Sequence, residues 1–121
     1  MGKTDELGLW GERQAARFLI RKGLQLLEHS FRCRRGEIDL VMEDGDEIAF
    51  VEVKLRRTDR FGTPAEYVTA GKRKRLRAAA EYYLMKHPTE KQPRFDVVEV
   101  YAPGGTATDP IPIRHIPNAF W

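Results

Sequence analysis

The stretch "GEIDLVMEDGDEIAFVEVK", residues 36–54, alternates between two classes of side chain on either side of a turn signal. Side chains of a β-strand point alternately to the two faces of a sheet, so the stretch predicts a hairpin with strands over 36–43 and 47–55. One face of this hairpin is wholly apolar and must be buried: Ile38, Leu40, Met42, Ala49, Val51, Val53 and Leu55. A register slip of one residue would expose that face, so the pairing is tightly constrained.

The opposite face of the hairpin is divided between apolar and charged residues: Glu37, Asp39, Val41, Ile48, Phe50, Glu52 and Lys54. A turn at Asp44-Gly45 would place Asp39 opposite Phe50, whereas a turn at Gly45-Asp46 would place Asp39 opposite Glu52. Both alternatives keep Asp39 and Glu52 within about 8 Å of each other. The apolar turn end requires a covering helix, and the other end predicts an acidic pocket at the edge of the covered sheet.

The remaining pattern predicts an α/β fold. Apolar residues recur every three or four positions over 4–22, which predicts a helix that ends at Gly23. Strands are predicted over 24–31 and 94–101, and residues 111–120 form a short last strand or an extended tail. The order is helix, three-strand meander, helix, strand. The second helix crosses over and places 94–101 parallel to the hairpin, which gives a mixed sheet in a single domain over 1–121.

The second helix has a clear start signal. Thr63 is followed by Pro64 and, three residues after Thr63, by Glu66, the pattern of a capping box with a proline start. We expect the helix to continue to about residue 86, where His87-Pro88 ends it. Its inward stripe is then Val68, Lys72, Leu76, Ala79 and Tyr83.

Charge and composition limit the function classes. The 121 residues carry a net charge of +3, with basic clusters at 32–35, 54–60 and 72–77. The single cysteine, Cys33, excludes an intrachain disulfide and a cysteine-based zinc site. The sequence has no apolar run of membrane-spanning length and no signal-peptide pattern, so we expect a cytoplasmic protein with no membrane partner.

The acidic pocket predicts a cation. Two carboxylates about 4 Å apart repel by roughly 4 kcal/mol at an effective dielectric constant near 20. Mg²⁺ relieves such repulsion, and it typically takes one or two carboxylates together with water and phosphate. Lys54, on the same face as Glu52, could hold a water or a phosphate oxygen.

These residues resemble a known family. Asp39 followed by Glu52-Val53-Lys54 resembles the D…(E/D)-x-K motif of restriction-endonuclease-like nucleases, and an upstream helix bearing Glu12 is similar to that of archaeal Holliday-junction resolvases. Ile38 stands where the motif's name has proline. Nearly the whole chain resembles the YraN family of small bacterial proteins through the following residues: Gly8, Gly11-Glu12, Ala15, Leu19, Gly23, Gly36 to Leu40, Phe50 to Lys54, Arg56, Gly62, Val68, Lys72, Arg94-Phe95-Asp96 and His115 to Phe120.

The resemblance implies a restriction-endonuclease-like core and roles for particular residues. It makes Asp39 and Glu52 metal ligands for Mg²⁺ or Mn²⁺, Glu12 an outer metal ligand, and Lys54 the residue that orients or activates a water. The alternative for Asp39, Glu52 and Lys54 is a solvated strand face with a cross-strand salt bridge. The alternative for Glu12 is a glutamate on a helix surface.

The remaining charged residues carry open alternatives. Glu37 is assigned an accessory role, as a third ligand or as the partner of an arginine. Lys72 either extends its ammonium to solvent or reaches the pocket and contacts a phosphate. The residues expected to contact nucleic acid are Arg32, Arg34, Arg35, Arg56, Lys72 and Lys74, and an ordinary solvated basic face is the alternative.

Three functions follow from these residues. The first is a Mg²⁺-dependent nuclease acting on DNA, with branched DNA among its expected substrates. The second is a non-catalytic nucleic-acid-binding module, and the third is a protein-interaction or assembly factor on the same fold.

The aromatic pair Phe120-Trp121 is expected to pack internally, with a homodimer contact as the alternative.

Overall fold

A computed structural model describes residues 6–57 and 68–120. The helices are α1 (Glu6–Arg21) and α2 (Ala70–Lys86). The strands are β1 (Gln25–Cys33), β2 (Gly36–Asp44), β3 (Glu47–Arg56), β4 (Gln92–Tyr101) and β5 (Ile113–Phe120). The strands form one five-stranded sheet in the order β1-β2-β3-β4-β5. Only β3 and β4 run parallel, so the predicted mixed sheet with an α2 crossover is confirmed.

The hairpin uses the second of the two predicted turns. Asp44 pairs with Glu47, so Gly45 and Asp46 form the turn. The register continues to Leu40 and Val51. It therefore directs Asp39 toward Glu52 rather than toward Phe50.

The two helices cover opposite faces of the sheet. The cluster with α1 contains Ala15, Leu19, Leu24, Leu40, Met42, Ala49, Val51, Val53, Val98 and Val100. The cluster with α2 contains Ile38, Val41, Ile48, Phe50, Val68, Leu76, Ala79, Ala80, Tyr83, Phe95 and Val97. The Tyr83 ring meets Phe31 and Phe50 edge-on, at centroid distances of 5.2 Å and 5.8 Å. The predicted helix cover over Ile48 and Phe50 is therefore α2.

Two predictions of local structure need correction. The capping box at Thr63 lies outside the described residues, but Val68 and Thr69 are not helical and α2 begins only at Ala70. Thr69 caps the helix instead, because its Oγ1 accepts the backbone N–H of Lys72 at 3.2 Å. Ile38 was predicted on the same face as Leu40 but packs with the α2 cluster.

A buried ionic cluster joins β5 to β4. Asp96 is fully buried, and its Oδ1 accepts the backbone N–H of Asn118 at 2.9 Å. Its Oδ2 lies 2.9 Å from Nε2 of His115, and its Oδ1 lies 3.1 Å from Nε of Arg94. The register of the two strands shifts between Phe95 and Val97. The Asp96 side chain therefore supplies contacts to β5 where the regular ladder is interrupted.

The same cluster lowers the pKa of Asp96. Burial alone raises the pKa of this carboxyl, but the hydrogen bonds from His115, Arg94 and the Asn118 N–H outweigh burial and hold it below its usual value. A carboxyl whose pKa is lowered by folding stabilises the protein above its unfolded-state pKa, and this stability is lost as pH falls through the folded-state pKa. The contribution is thus complete at neutral pH and lost only below about pH 4.

We expect Asp96→Asn to lower the free energy of unfolding at pH 7 by about 1–3 kcal/mol, because the Arg94 Nε and His115 lose their buried carboxylate while the Arg94 Nη1 keeps Glu47 and Asp44. The difference from the parent should shrink below about pH 4, where the parent loses the same charge. Urea unfolding between pH 3 and 7 measures both effects. Glu81→Gln, which removes an exposed carboxylate from α2, is the matched control, and an equal loss in that variant would contradict the buried-cluster explanation.

Candidate active site

The regular pairing of β2 with β3 ends where the two predicted carboxylates begin. The last ladder pair is Leu40 with Val51. Beyond that pair, the backbone N–H of Val53 donates to Oδ2 of Asp39 at 2.8 Å. A side-chain oxygen thus accepts the hydrogen bond that a backbone carbonyl would accept in a regular ladder. Asp39 and Glu52 are only 2% and 3% exposed. Two carboxylates are thus buried side by side at the point where the strands separate.

The pairing of β2 with β1 is also interrupted at Asp39. The ladder includes His29 with Leu40 and Phe31 with Ile38, but it omits the intervening pair of Ser30 with Asp39. Ser30 has a φ of 52°, which is uncommon for a residue other than glycine. Because the alternation of β2 is disturbed here, Ile38 can join the α2 cluster.

Asp39 and Glu52 line one pocket of about 420 Å³. The pocket lies between the β1–β2 turn, β3 and α2, and we call it the acidic pocket. Its other lining residues are Arg32, Cys33, Arg34, Arg35, Gly36, Glu37, Lys72, Arg75 and Leu76. The structure therefore brings together the predicted acidic pair, the accessory Glu37 and four of the six residues predicted to bind nucleic acid.

Lys72 reaches this pocket from α2. Its Nζ lies 2.5 Å from Oε2 of Glu52, so the alternative in which Lys72 points only to solvent is wrong. Glu37 lies 3.8 Å from the Arg32 Nε, which agrees with its predicted role as an arginine's partner. A cationic side chain of the pocket therefore lies beside each glutamate: Lys72 beside Glu52, and Arg32 beside Glu37.

A close backbone approach fixes α2 against the β1–β2 turn. A Cβ atom at Gly36 would lie 3.0 Å from the carbonyl oxygen of Arg75. Arg75 was not among the predicted site residues, although its position three residues after Lys72 places it on the same helix face. Lys74, which was predicted, is exposed and does not line the acidic pocket.

Glu12 lies in a different pocket. It is 5% exposed, and its Oε1 accepts the Ser30 hydroxyl at 3.2 Å. This pocket, of about 200 Å³, is lined by Leu9, Glu12, Arg13, Ala16, Leu26, His29, Ser30 and Leu40. Ser30 is the β1 residue whose ladder pairing with Asp39 is interrupted, so Glu12 approaches the acidic pair from the α1 side of the sheet.

Two further predicted residues lie outside the acidic pocket. Lys54 is half-buried on β3. Arg56 forms an ion pair with the fully buried Glu99, at 3.2 Å from Nε to Oε2. The Tyr101 hydroxyl donates to the other oxygen of Glu99 at 2.8 Å. Arg56 therefore serves a buried structural contact between β3 and β4.

The acidic pair fits a hard divalent cation that needs few protein ligands. Among residues 6–57 and 68–120, no three His, Cys, Asp or Glu side chains are grouped closely enough to hold a metal ion. Asp39 and Glu52 alone could bind Mg²⁺ or Mn²⁺, because Mg²⁺ is commonly held by one or two carboxylates with water and phosphate completing its shell. Lys72 supplies the compensating charge when no metal is bound.

Comparison with known proteins places the chain among bacterial proteins of one family. The sequence model of the uncharacterised protein family UPF0102 matches residues 11–100. A UPF0102 protein of Syntrophomonas wolfei is 48% identical over 116 residues, covering 95% of this chain and 97% of the relative. A UPF0102 protein of Frankia casuarinae is 42% identical over 121 residues, covering 99% of this chain and 100% of the relative.

No helix within the described ranges is long and apolar enough to cross a membrane.

We expect Lys72→Met to lower the free energy of unfolding by about 1–3 kcal/mol in metal-free buffer, because it leaves the buried Glu52 carboxylate without its ammonium partner. Glu52→Gln introduced into Lys72→Met should restore part of the loss. Lys74→Met is the matched control on the same helix and should change stability by less than about 0.5 kcal/mol. Urea unfolding in EDTA measures five proteins: the parent, the single variants Lys72→Met, Glu52→Gln and Lys74→Met, and the double variant. Additive effects of the Lys72 and Glu52 substitutions would contradict a direct ion pair.

Proposed function

This chain belongs to the uncharacterised protein family UPF0102, as its resemblance to the YraN family led us to expect, and we propose that it is a Mg²⁺-dependent nuclease that acts on DNA. One observation carries the proposal. Two carboxylates, Asp39 and Glu52, are almost fully buried, and both face an open pocket whose rim is arginine and lysine. That arrangement suits a phosphodiester, which brings negative charge to a cation held by the carboxylates.

The acidic pair has features of a site rather than of an ordinary strand face. A solvated salt bridge requires no burial, yet Asp39 and Glu52 are 2% and 3% exposed. Burying charge is costly unless charges are paired and hydrogen-bonded. Here the N–H of Val53 and the ammonium of Lys72 meet part of that cost. Polar groups that converge on one pocket are a typical feature of binding and active sites.

In this proposal Asp39 and Glu52 hold the metal ion. When bound, Mg²⁺ or Mn²⁺ would lower the pKa of a water and stabilise charge on the phosphate. The Val53 N–H donates to Oδ2 of Asp39 and holds this carboxylate at the wall of the acidic pocket. Arg34 and Arg35, both exposed on the β1–β2 turn, contact the DNA backbone. The Lys72 ammonium can leave Glu52 and bind a phosphate oxygen instead.

The remaining roles follow from the resemblance. By this resemblance Lys54 orients the attacking water and Glu12 acts as an outer ligand, although neither side chain lines the acidic pocket in this structure. The fold is then a restriction-endonuclease-like core, similar to that of archaeal Holliday-junction resolvases, which brings branched DNA into the expected substrates. A cytoplasmic location, expected from the sequence, is part of this proposal.

A second function, a non-catalytic nucleic-acid-binding module, has one observation in its favour. Lys72 lies 2.5 Å from Glu52 and neutralises it without any metal. A protein that keeps this pair would retain the fold and the basic rim while lacking metal chemistry. The two functions differ in whether metal binds and whether the DNA backbone is cut.

We expect the purified protein to cleave at least one of three DNAs (duplex, single-stranded or four-way-junction) in Mg²⁺ or Mn²⁺, with gel electrophoresis as the measurement. Glu52→Gln and Asp39→Asn should reduce cleavage by at least about 100-fold, because losing a ligand costs more than losing a hydrogen-bond partner of a ligand, which costs about 10–100-fold. Metal should also raise the melting temperature of the parent by mass action. Metal should raise the melting temperatures of Glu52→Gln and Asp39→Asn by less. Equal melting shifts in all three proteins, with no cleavage by the parent, would favour the non-catalytic module.

The basic rim generates a separate expectation about binding. Charge reversal at Arg34 and Arg35 should weaken binding to all DNA sequences alike and reduce the slope of log affinity against log salt by about one for each phosphate that is no longer neutralised. Arg17→Glu changes an exposed residue of α1, on the opposite face of the sheet, and is the matched control. Fluorescence anisotropy in EDTA from about 50 to 200 mM salt measures the slope. Salt-independent binding would count against a nucleic-acid partner.

A further inference from the structure

A third pocket, of about 580 Å³, adjoins the acidic pocket. Arg32, Cys33, Arg34 and Arg35 line both of these pockets, so the β1–β2 turn is their common wall. The third pocket adds Tyr82 and Met85 from α2, and we call it the Tyr82 pocket. The two pockets therefore follow one another along α2, with the acidic pair in the first and an aromatic ring in the second.

The Tyr82 pocket combines an aromatic side chain, an exposed apolar side chain and cations. The Phe31 ring of β1 packs against the Tyr82 ring at a centroid distance of 6.2 Å and supports it from the side of the sheet. The exposed Lys86 extends its ammonium over the same ring, 5.7 Å from the centroid, so a base that stacks on this face displaces the ammonium. Met85 is 67% exposed, the largest exposed fraction of any large apolar side chain among the described residues. The pocket thus offers a flat apolar surface within a cationic rim.

We propose that the Tyr82 pocket binds an unpaired nucleobase of a single-stranded segment that continues from the phosphate in the acidic pocket. This inference rests on the proposed function, and it specifies the substrate class. Proteins that bind single strands combine a positive groove along the backbone with aromatic side chains on which bases stack. Arg34 and Arg35 provide the groove, and Tyr82 with Met85 provides the stacking surface.

Charge selects this occupant over an apolar peptide. Within the described part of the chain, Arg34 and Arg35 are exposed and take part in no ion pair. A segment that brought a phosphate for each base would satisfy these arginines and cover Met85 at once. The bases of an intact duplex are stacked inside the helix and cannot occupy the pocket. The substrate is therefore DNA with a single-stranded segment beside the phosphate to be cut.

The test compares three labelled DNAs that share one blunt hairpin: the hairpin alone, the hairpin with a short thymidine tail, and the hairpin with an abasic tail of equal length. Binding is measured by fluorescence anisotropy in EDTA, so cleavage plays no part. For the parent, we expect the thymidine tail to raise affinity about fivefold or more over the abasic tail, the gain typical of one stacked base. The abasic tail isolates the contribution of its phosphates.

Matched variants separate stacking from packing. Tyr82→Phe keeps the ring and should keep the preference for the thymidine tail, whereas Tyr82→Leu keeps an apolar side chain without the ring and should lose it. Thermal melting verifies that both variants are folded. Equal affinity for thymidine and abasic tails in the parent, an unchanged preference in folded Tyr82→Leu, or no binding to any tailed DNA would each overturn the inference.

The experiment distinguishes a failure of the base site from a failure of the nuclease proposal. If the protein prefers the thymidine tail but cuts neither duplex, single-stranded nor four-way-junction DNA, the base site is supported and nuclease activity is rejected. Metal-dependent cleavage without a thymidine preference would reject the base site and keep the nuclease.

Discussion

The burial of two neighbouring carboxylates is the constraint on which the rest of this structure depends. Asp39 and Glu52 lie where β2 separates from β3, 2% and 3% exposed. Charges in such a place require partners. The Val53 N–H binds Asp39, and the Lys72 ammonium binds Glu52. Since Lys72 belongs to α2, the position of that helix and the electrostatics of the pocket are coupled.

The surrounding fold holds this arrangement in place. The apolar end of the hairpin is packed under Leu76, Ala79 and Tyr83 of α2, so that the helix reaches the acidic end with a fixed face. Gly36 allows the β1–β2 turn to approach the α2 backbone closely. This approach places the arginines of the turn beside the acidic pair and extends the same cationic wall to Tyr82. The sheet therefore supplies the carboxylates, while the turn and the helix supply the cations.

Much of this could be predicted from local pattern. Alternation in residues 36–54 required the hairpin and placed Asp39 near Glu52, because side-chain period and turn length leave few registers. The choice between the turns depended on packing, which a single sequence does not reveal. The start of α2 was misjudged because Thr69 also has a capping oxygen. The ion pair of Arg56 with Glu99 was missed because the two residues lie 43 positions apart. Ile38 was misplaced because the sheet is irregular beside Ser30.

The most direct measurement of the central claim is a Mn²⁺ titration of the isotopically labelled protein followed by NMR. A paramagnetic ion broadens amide signals close to it, and the Val53 N–H lies 2.8 Å from Oδ2 of Asp39. We expect substoichiometric Mn²⁺ to broaden the amides of Asp39, Glu52 and Val53 first, Mg²⁺ to reverse the effect by competition, and Asp39→Asn to abolish it. Sharp signals from these three amides at saturating Mn²⁺, or broadening concentrated elsewhere, would contradict a metal site formed by Asp39 and Glu52.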